Sequence, residues 1–231
     1  MINIVSTFYI TKYSSPLDNL RTKEIEACLL KNLESPLIEK MHLFVDDNEA
    51  LNRLNILSNN SDKIIIIEVG KKPIYSDMFK YILNNLKDKI CMIINADIYL
   101  LECEEFLIEK IQKEKMCYAL TRYEHDLSKP LIDTFGGSHD AYIFNSTYID
   151  ENIINNHTNF YQNVPGIESH IIKNFCDSGF VVCNPCHQIK IVHLHKTQLH
   201  NYTAIWVGLH VSGDYHNFYK SYWCIRPVII K

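Results

Sequence analysis

Glycine is scarce in this chain, which has seven glycines among 231 residues. Neither a Gly-x-Gly-x-x-Gly turn nor a P-loop pattern occurs, which excludes the common glycine-rich ways of holding a dinucleotide or a nucleoside triphosphate. Long apolar runs are missing too: residues 63–69 and 90–94 have only strand length, whereas a membrane span needs about 20 apolar residues. Residues 1–10 carry no recognisable secretory signal. These absences predict a cytoplasmic protein with no membrane span.

Basic charge is not in excess either, because the net charge is -4 and the isoelectric point is about 6.2. Nucleic-acid backbones are held by clustered Lys and Arg, so we expect no nucleic-acid partner. Eight cysteines are present, several inside apolar patterns, which is typical of buried, reduced thiols. Cys183 and Cys186, followed by His187, are spaced like half of a zinc site, but no second cysteine pair completes it. We therefore do not expect structural zinc.

The first half of the sequence alternates β-branched runs with amphipathic helical patterns, which is typical of βαβ units. Strands are expected at residues 2–8, 41–45, 63–69, 90–94, 116–121 and 141–144, and helices at residues 20–33, 76–86, 106–111 and 165–175. The run 63–69, with four consecutive isoleucines, indicates a strand buried on both faces. Residues 180–184 and 188–195 are expected to pair as strands. The pattern predicts an α/β fold with a mixed, mostly parallel sheet flanked by helices, in a single domain spanning 1–231.

Polar residues lie at the carboxyl ends of several predicted strands, where parallel sheets bind ligands, namely Thr7, Asp46, Asn95 with Asp97, and Arg122. One or two carboxylates, together with phosphate oxygens, are enough to hold Mg²⁺ or Mn²⁺, so Asp97 is a candidate metal ligand. His193 and His195 are two residues apart in a predicted strand and therefore point to the same face, which suits a metal or phosphate site. Ordinary structural roles stay open for all three: Asp97 as a turn former, the histidines as hydrogen-bonded residues.

Short stretches spread over nearly the whole chain resemble, in order, a family of GT-A glycosyltransferases found in bacteria and large DNA viruses. The similar stretches are residues 5–9, 21–24, 73–77, 95–99, 120–123, 137–144, 165–168, 184–185 and 191–195. The resemblance implies a Rossmann-like GT-A domain that uses a nucleotide-sugar donor and a divalent cation, Mn²⁺ or Mg²⁺. It implies a nucleotide-binding half at about 1–125 and an acceptor- and sugar-binding half at about 126–231. For a viral protein, the expected location is the host cytoplasm.

The resemblance also implies which residues bind the donor. Thr7, Phe8 and Tyr9 would enclose the nucleobase. Arg21 would support the side of the pocket that these residues form. Asp46 and Asp77 would accept hydrogen bonds from the base or ribose. Asp97 would bind the cation, with Asn95 where the family's Asp-x-Asp motif has its first aspartate and Ala96 between them. One of His193 and His195 would be the remote ligand.

On the acceptor side, the resemblance implies that Arg122 steadies the diphosphate or the donor sugar. Ser138, His139 and Asp140 would line the sugar pocket. Glu168 would be the catalytic base that takes the proton of the acceptor hydroxyl, and Asp140 is the second candidate for that role. An ordinary role stays open for Glu168, since an acid in the first turn of a helix is favoured by the helix dipole.

The activity implied is transfer of a hexosyl or deoxyhexosyl group from a nucleotide-diphosphate donor to a glycan or protein acceptor. A UDP-sugar is favoured because it is the commoner donor for this fold. One alternative is a sugar nucleotidyltransferase, but residues 6–16 lack the glycines and arginines of the N-terminal loop that such enzymes usually need. Another is a catalytically silent carbohydrate- or nucleotide-binding module, favoured by the broken Asp-x-Asp. Aromatic residues near the C-terminus that could stack on sugars are Tyr202, Trp206, Tyr215 and Trp223.

Overall fold

A computed structural model describes residues 1–11, 16–58, 61–125, 127, 139–162, 166–197 and 225–231. Its strands are β1 (Ile2–Thr7), β2 (Ile38–Val45), β3 (Ile64–Glu68), β4 (Ile90–Ile94), β5 (Ile98–Cys103), β6 (Met116–Thr121), β7 (Tyr123–Glu124), β8 (His139–Asn145), β9 (Val181–Cys183) and β10 (Ile189–His193). Its α-helices are α1 (Pro16–Glu34), α2 (Asn48–Ser58), α3 (Tyr75–Asn85), α4 (Glu105–Lys113) and α5 (Ile167–Asp177). None of the helices in these ranges combines the length and apolar character needed to cross a bilayer.

The large sheet contains seven of the described strands, in the order β3-β2-β1-β4-β8-β6-β9. Its pairs are parallel except those of β8, which runs antiparallel to both β4 and β6. The expected mixed, mostly parallel sheet is therefore confirmed. The strand order reverses between β1 and β4, and in doubly wound sheets ligands bind beyond the carboxyl ends of the strands at such a switch point.

Apolar clusters cover both faces of this sheet because side chains alternate along each strand. Ile4 of β1 and Met92 of β4 belong to the cluster that includes buried residues of α1, α2 and α4. Their neighbours Val5 and Ile93 belong to the second cluster, with buried residues of α3 and α5. Helices thus flank the sheet on both faces, which explains why its central strands read as continuous apolar runs.

A smaller sheet brings the C-terminal part of the described chain against the turn after β4. Its strands lie in the order β5-β10-β7, with β10 antiparallel to β5 and parallel to β7. His193 pairs with Ile98, the residue directly after Asp97. The backbone N–H of Leu194 also donates to the carbonyl of Asp97 over 2.9 Å. This ladder fixes the position of the two histidines relative to Asp97.

Two of the strand predictions are wrong. The run 63–69 is not buried on both faces: β3 lies at an end of the described sheet, and Ile65 is 39% exposed. Residues 180–184 and 188–195 do not pair with each other, because β9 joins β6 whereas β10 joins β5 and β7. A tight turn separates them, in which the carbonyl of Pro185 accepts from the N–H groups of Gln188 and Ile189. This turn directs the chain from one sheet into the other.

Among the elements that the sequence does not predict, α2 and β5 flank predicted site residues. Helix α2 begins after Asp47, whose carboxylate accepts from the N–H groups of Glu49 and Ala50 over 2.7 and 3.3 Å. This is the pattern of a helix cap, and Ala50 and Leu54 bury the inner face of the helix. Strand β5 follows the Asn95-Ala96-Asp97 turn directly, so this turn connects two strands rather than a strand and a helix.

Candidate functional site

Asp97 is a buried carboxylate, 5% exposed, beyond the carboxyl end of β4. Its Oδ2 atom accepts a hydrogen bond from the guanidinium of Arg21 and lies 2.9 Å from Nε2 of His193. Burial alone would raise the pKa of Asp97, but the hydrogen bond to His193 and the charges of His193 and Arg21 hold this pKa well below its usual range. Asp97 therefore remains ionised inside the protein because cations surround it.

His193 and His195 meet Asp97 from the small sheet. Their ring centroids are 5.1 Å apart, and one ligand atom from each of Asp97, His193 and His195 lies within 4.8 Å of the others. Burial would lower the pKa of His193, but its contacts with Asp97 and with Glu124, whose Oε2 lies 3.5 Å from Nδ1, outweigh burial and raise the pKa to about 9.

This donor set fits a divalent cation. One carboxylate and two imidazoles leave coordination positions for phosphate oxygens, and two imidazoles suit Mn²⁺ better than Mg²⁺, which strongly prefers oxygen ligands. The fit has one condition. Oδ2 of Asp97 already faces two cationic groups, Arg21 and His193, so a bound cation must share this oxygen with them or replace them.

Arg21 reaches the site from α1 and is 6% exposed. One of its terminal nitrogens contacts Asp97, while the other donates to Glu24 over 3.1 Å and to the carbonyl of Leu194 over 3.2 Å. Glu24 is held in turn by the N–H groups of Lys196 and Thr197, over 2.7 and 3.0 Å. The guanidinium thus lies between two carboxylates.

A second group of charges lies around Asp140, near the start of β8. Arg122 donates to both carboxylate oxygens of Asp140, over 3.2 and 3.0 Å, and to Glu124 over 3.1 Å. The side-chain amide of Asn95 donates to Asp140 over 3.0 Å. The contact with His193, together with the charge of Arg122, lowers the pKa of Glu124 to about 2 despite its partial burial. Glu124 therefore links the Asp140 group to the histidines.

Glu168 lies in the first turn of α5 and is partly buried. Burial, with the nearby charge of Asp140, raises the pKa of Glu168 to about 7. The polar backbone groups of Glu168 and Gly166 and the charge of Arg122 only partly offset this rise. Gly166 caps the helix at φ 84°, a left-handed conformation that favours glycine. A carboxyl group with a pKa near neutrality is suited to accept a proton at physiological pH.

Comparisons with known proteins agree with this architecture. The chain is similar to crystal structures of S. aureus TarS 1-349 (TM-score 0.51, 10% identity, 83% of this chain and 60% of that one) and S. aureus TarS (TM-score 0.52, 8% identity, 84% and 36%). It is also similar to a Bacillus anthracis protein assigned as a glucose-1-phosphate thymidylyltransferase and solved with sucrose (TM-score 0.52, 8% identity, 80% and 87%). The chain has a GT-A fold. It spans about 60% of the TarS 1-349 fragment. The sequence matches no protein-family model and no curated protein sequence.

The other predicted donor-site residues of this GT-A domain are less closely grouped. Thr7 contacts the side chain of Gln162 over 3.4 Å, and Tyr9 is partly buried. Phe8 is 2% exposed and packs in the cluster under α1, so its ring is not on the surface of the site. Asp46 is exposed just after β2.

Three further predicted residues have local structural partners or lie beside Asp97. Asp77 accepts from the backbone N–H of Ile74 over 3.0 Å, which caps α3. Ala96 is partly buried between Asn95 and Asp97. His139 is buried, with Nδ1 3.1 Å from the carbonyl of Ala119 and Nε2 accepting from the N–H of Ile225 over 3.2 Å. Both ring nitrogens therefore bind the protein, and burial lowers the pKa of His139.

Predicted residues also lie outside the described ranges, namely Ser138, Tyr202, Trp206, Tyr215 and Trp223. Conversely, no role was predicted for Glu24, Glu124 or Gln162. Arg122 and Glu124 are two residues apart, the same spacing that predicts a shared face for His193 and His195. The sequence could therefore have predicted that Glu124 lies beside Arg122. Gln162, whose amide donates to the carbonyl of Ile94 over 3.1 Å, comes from a segment without regular periodicity and offers no such signal.

Proposed function

We propose that this protein transfers a sugar from a nucleotide-diphosphate donor, with a UDP-sugar favoured, to a glycan or protein acceptor. The observation that carries the proposal is the convergence of Asp97, His193 and His195 with Arg21 beyond the end of β4, at the switch point of a GT-A sheet. The site places buried cations beside a cluster that fits a metal ion, which is the chemistry that a diphosphate requires.

The donor is proposed to lie across the carboxyl ends of β1 and β4. Its base would lie near Thr7 and Tyr9, with Asp46 at the rim, and its diphosphate would lie next to Asp97. A divalent cation bound by Asp97 with His193 or His195 would supply positive charge to the departing nucleoside diphosphate. We propose that residues 1–125 bind the nucleotide and residues 126–231 the sugar and acceptor, within one domain.

For the transfer step, the protein contributes fixed positive charge and a base. Arg122 is positioned by Asp140 and Glu124, so little reorganisation is needed when negative charge develops on the leaving group. Glu168 would take the proton of the attacking acceptor hydroxyl. Between the two candidate bases, Glu168 is favoured because the carboxylate of Asp140 is already engaged by Arg122 and Asn95.

The proposal is tested with a panel of UDP-, GDP- and dTDP-sugars and Mn²⁺, by measuring donor hydrolysis, transfer and thermal shift. Asp97→Ala should abolish the Mn²⁺-dependent stabilisation by donor while the protein stays folded. Asp62→Ala is the matched control, because Asp62 is exposed and pairs only loosely with Lys40, 3.7 Å away. Unchanged stabilisation of the Asp97→Ala variant by donor and Mn²⁺ would remove the metal assignment.

The alternatives are separated by this assay and by a second one that supplies a nucleoside triphosphate and a sugar 1-phosphate. Donor binding without hydrolysis or transfer would favour a silent binding module. Pyrophosphate release from a nucleoside triphosphate and a sugar 1-phosphate would favour a nucleotidyltransferase.

A further inference from the structure

Arg21 contacts the carboxylate oxygen of Asp97 that faces the candidate metal ligands. Oδ2 accepts from Arg21 and also lies 2.9 Å from Nε2 of His193, one of the three residues that could bind a cation. Arg21 and Asp97 are 6% and 5% exposed, so water screens this pair only weakly. A divalent cation next to Asp97 would stand within a few ångströms of a buried guanidinium of the same sign.

Arg21 has a second anionic partner that does not belong to the metal cluster. Its other terminal nitrogen donates to Glu24 over 3.1 Å and to the carbonyl of Leu194 over 3.2 Å. Glu24 is fixed by the backbone N–H groups of residues 196 and 197. The guanidinium can therefore give up Asp97 and keep a partly buried counter-charge, which lowers the free-energy penalty of its release.

We propose that Arg21 is a built-in counter-cation that competes with the divalent metal ion for Asp97 and is received by Glu24 when the metal binds. The proposal rests on the metal site of the proposed function. Arg21, together with His193, compensates the buried charge of Asp97, since an unpaired buried carboxylate would be strongly destabilising. The competition also makes the released guanidinium available to a phosphate oxygen of the donor, because arginine binds phosphate through paired N–H groups.

The test measures the affinity of metal-stripped, purified protein for Mn²⁺ alone, by calorimetry or by the electron paramagnetic resonance signal of free Mn²⁺. Arg21→Met removes the competitor and should tighten Mn²⁺ binding at least about tenfold, as expected for removing a unit charge about 4 Å from a divalent ion. Arg53→Met is the matched control, because Arg53 pairs with Glu26 at the surface between α1 and α2. It should leave the Mn²⁺ affinity unchanged.

Glu24→Gln gives the opposite prediction and does not depend on the folding of the Arg21→Met variant. It removes the charge that receives Arg21, so Mn²⁺ binding should weaken at least about threefold. In the Arg21→Met background the same Glu24→Gln change should have a clearly smaller effect, because there is no guanidinium left to receive. Strictly additive effects would show that both residues act only through their general charge, and would overturn the competition.

The failures are distinguishable. Mn²⁺ binding of equal affinity in wild type, Arg21→Met and Glu24→Gln overturns the competition and leaves the metal site of the proposed function standing. No Mn²⁺ binding to any of these proteins, with or without a nucleotide-sugar, overturns the metal site itself and the competition with it.

Discussion

Replacing Glu168 with glutamine should change how the stability of the protein depends on pH. The pKa of Glu168 is raised from 4.5 to about 7, so between these values the unfolded chain is ionised while the folded protein keeps the proton. The folded state is therefore favoured below about pH 4.5 and loses this advantage as pH rises through 7. At about 1.4 kcal/mol per pKa unit the full loss is about 3.5 kcal/mol, and partial exposure of Glu168 reduces it to about 2 to 3 kcal/mol.

Urea unfolding of wild type and Glu168→Gln at intervals from pH 4.5 to 8 measures this effect. Glutamine has a similar shape and does not titrate, so the variant should gain about 2 to 3 kcal/mol relative to wild type across this range. Glu105→Gln is the control, since Glu105 is an exposed acid in the first turn of α4. The free-energy difference for Glu168→Gln should change with pH by about 2 to 3 kcal/mol more than the difference for Glu105→Gln. An equal pH dependence of the two differences would show that burial and Asp140 do not raise this pKa.

Three further outcomes are expected. Glu168→Gln should bind donor with wild-type affinity but lose transfer by at least about 100-fold, the usual contribution of a general base; full transfer activity would point to Asp140 instead. Asp140→Asn removes the charge that helps to raise the pKa of Glu168, so the rising limb of kcat/KM against pH should move to lower pH. An unchanged limb would show that Asp140 does not influence the ionisation of the catalytic base. Gly166→Ala should destabilise the protein by about 1 kcal/mol or more in urea unfolding, because φ is 84° there; an equally stable variant would contradict that geometry.

The large sheet could be predicted because its signals are local. Residues 90–94 form an uninterrupted apolar run of strand length, and the structure has β4 at the same bounds. The edge position of β3 could not be read in this way. A central strand also shows such a run of isoleucines, and the position of β3 at an end of the described sheet depends on long-range strand pairing rather than on local sequence.

The composition of the candidate site was partly accessible from the sequence, whereas its pairings were not. Alternation in a strand predicts that His193 and His195 share a face, but it does not say that Asp97 lies opposite them. That contact depends on β10 pairing with β5, which is separated from it by more than 80 residues. The contact of Arg21 with Asp97 depends on how α1 packs against the turn after β4. The sequence therefore predicts that Arg21 belongs to the site, but not that it contacts Asp97.

Strand β8 runs antiparallel to its neighbours β4 and β6, which determines how insertions and deletions in it would act. Its first residues, rather than its last, reach the ligand edge, where Asp140 meets Asn95, while Asn145 pairs with Ile90 at the far edge. A one-residue slip of β8 would exchange the two sides of the strand and turn the carboxylate away from Arg122. An insertion or deletion inside β8 would therefore disrupt the charge network around Asp140.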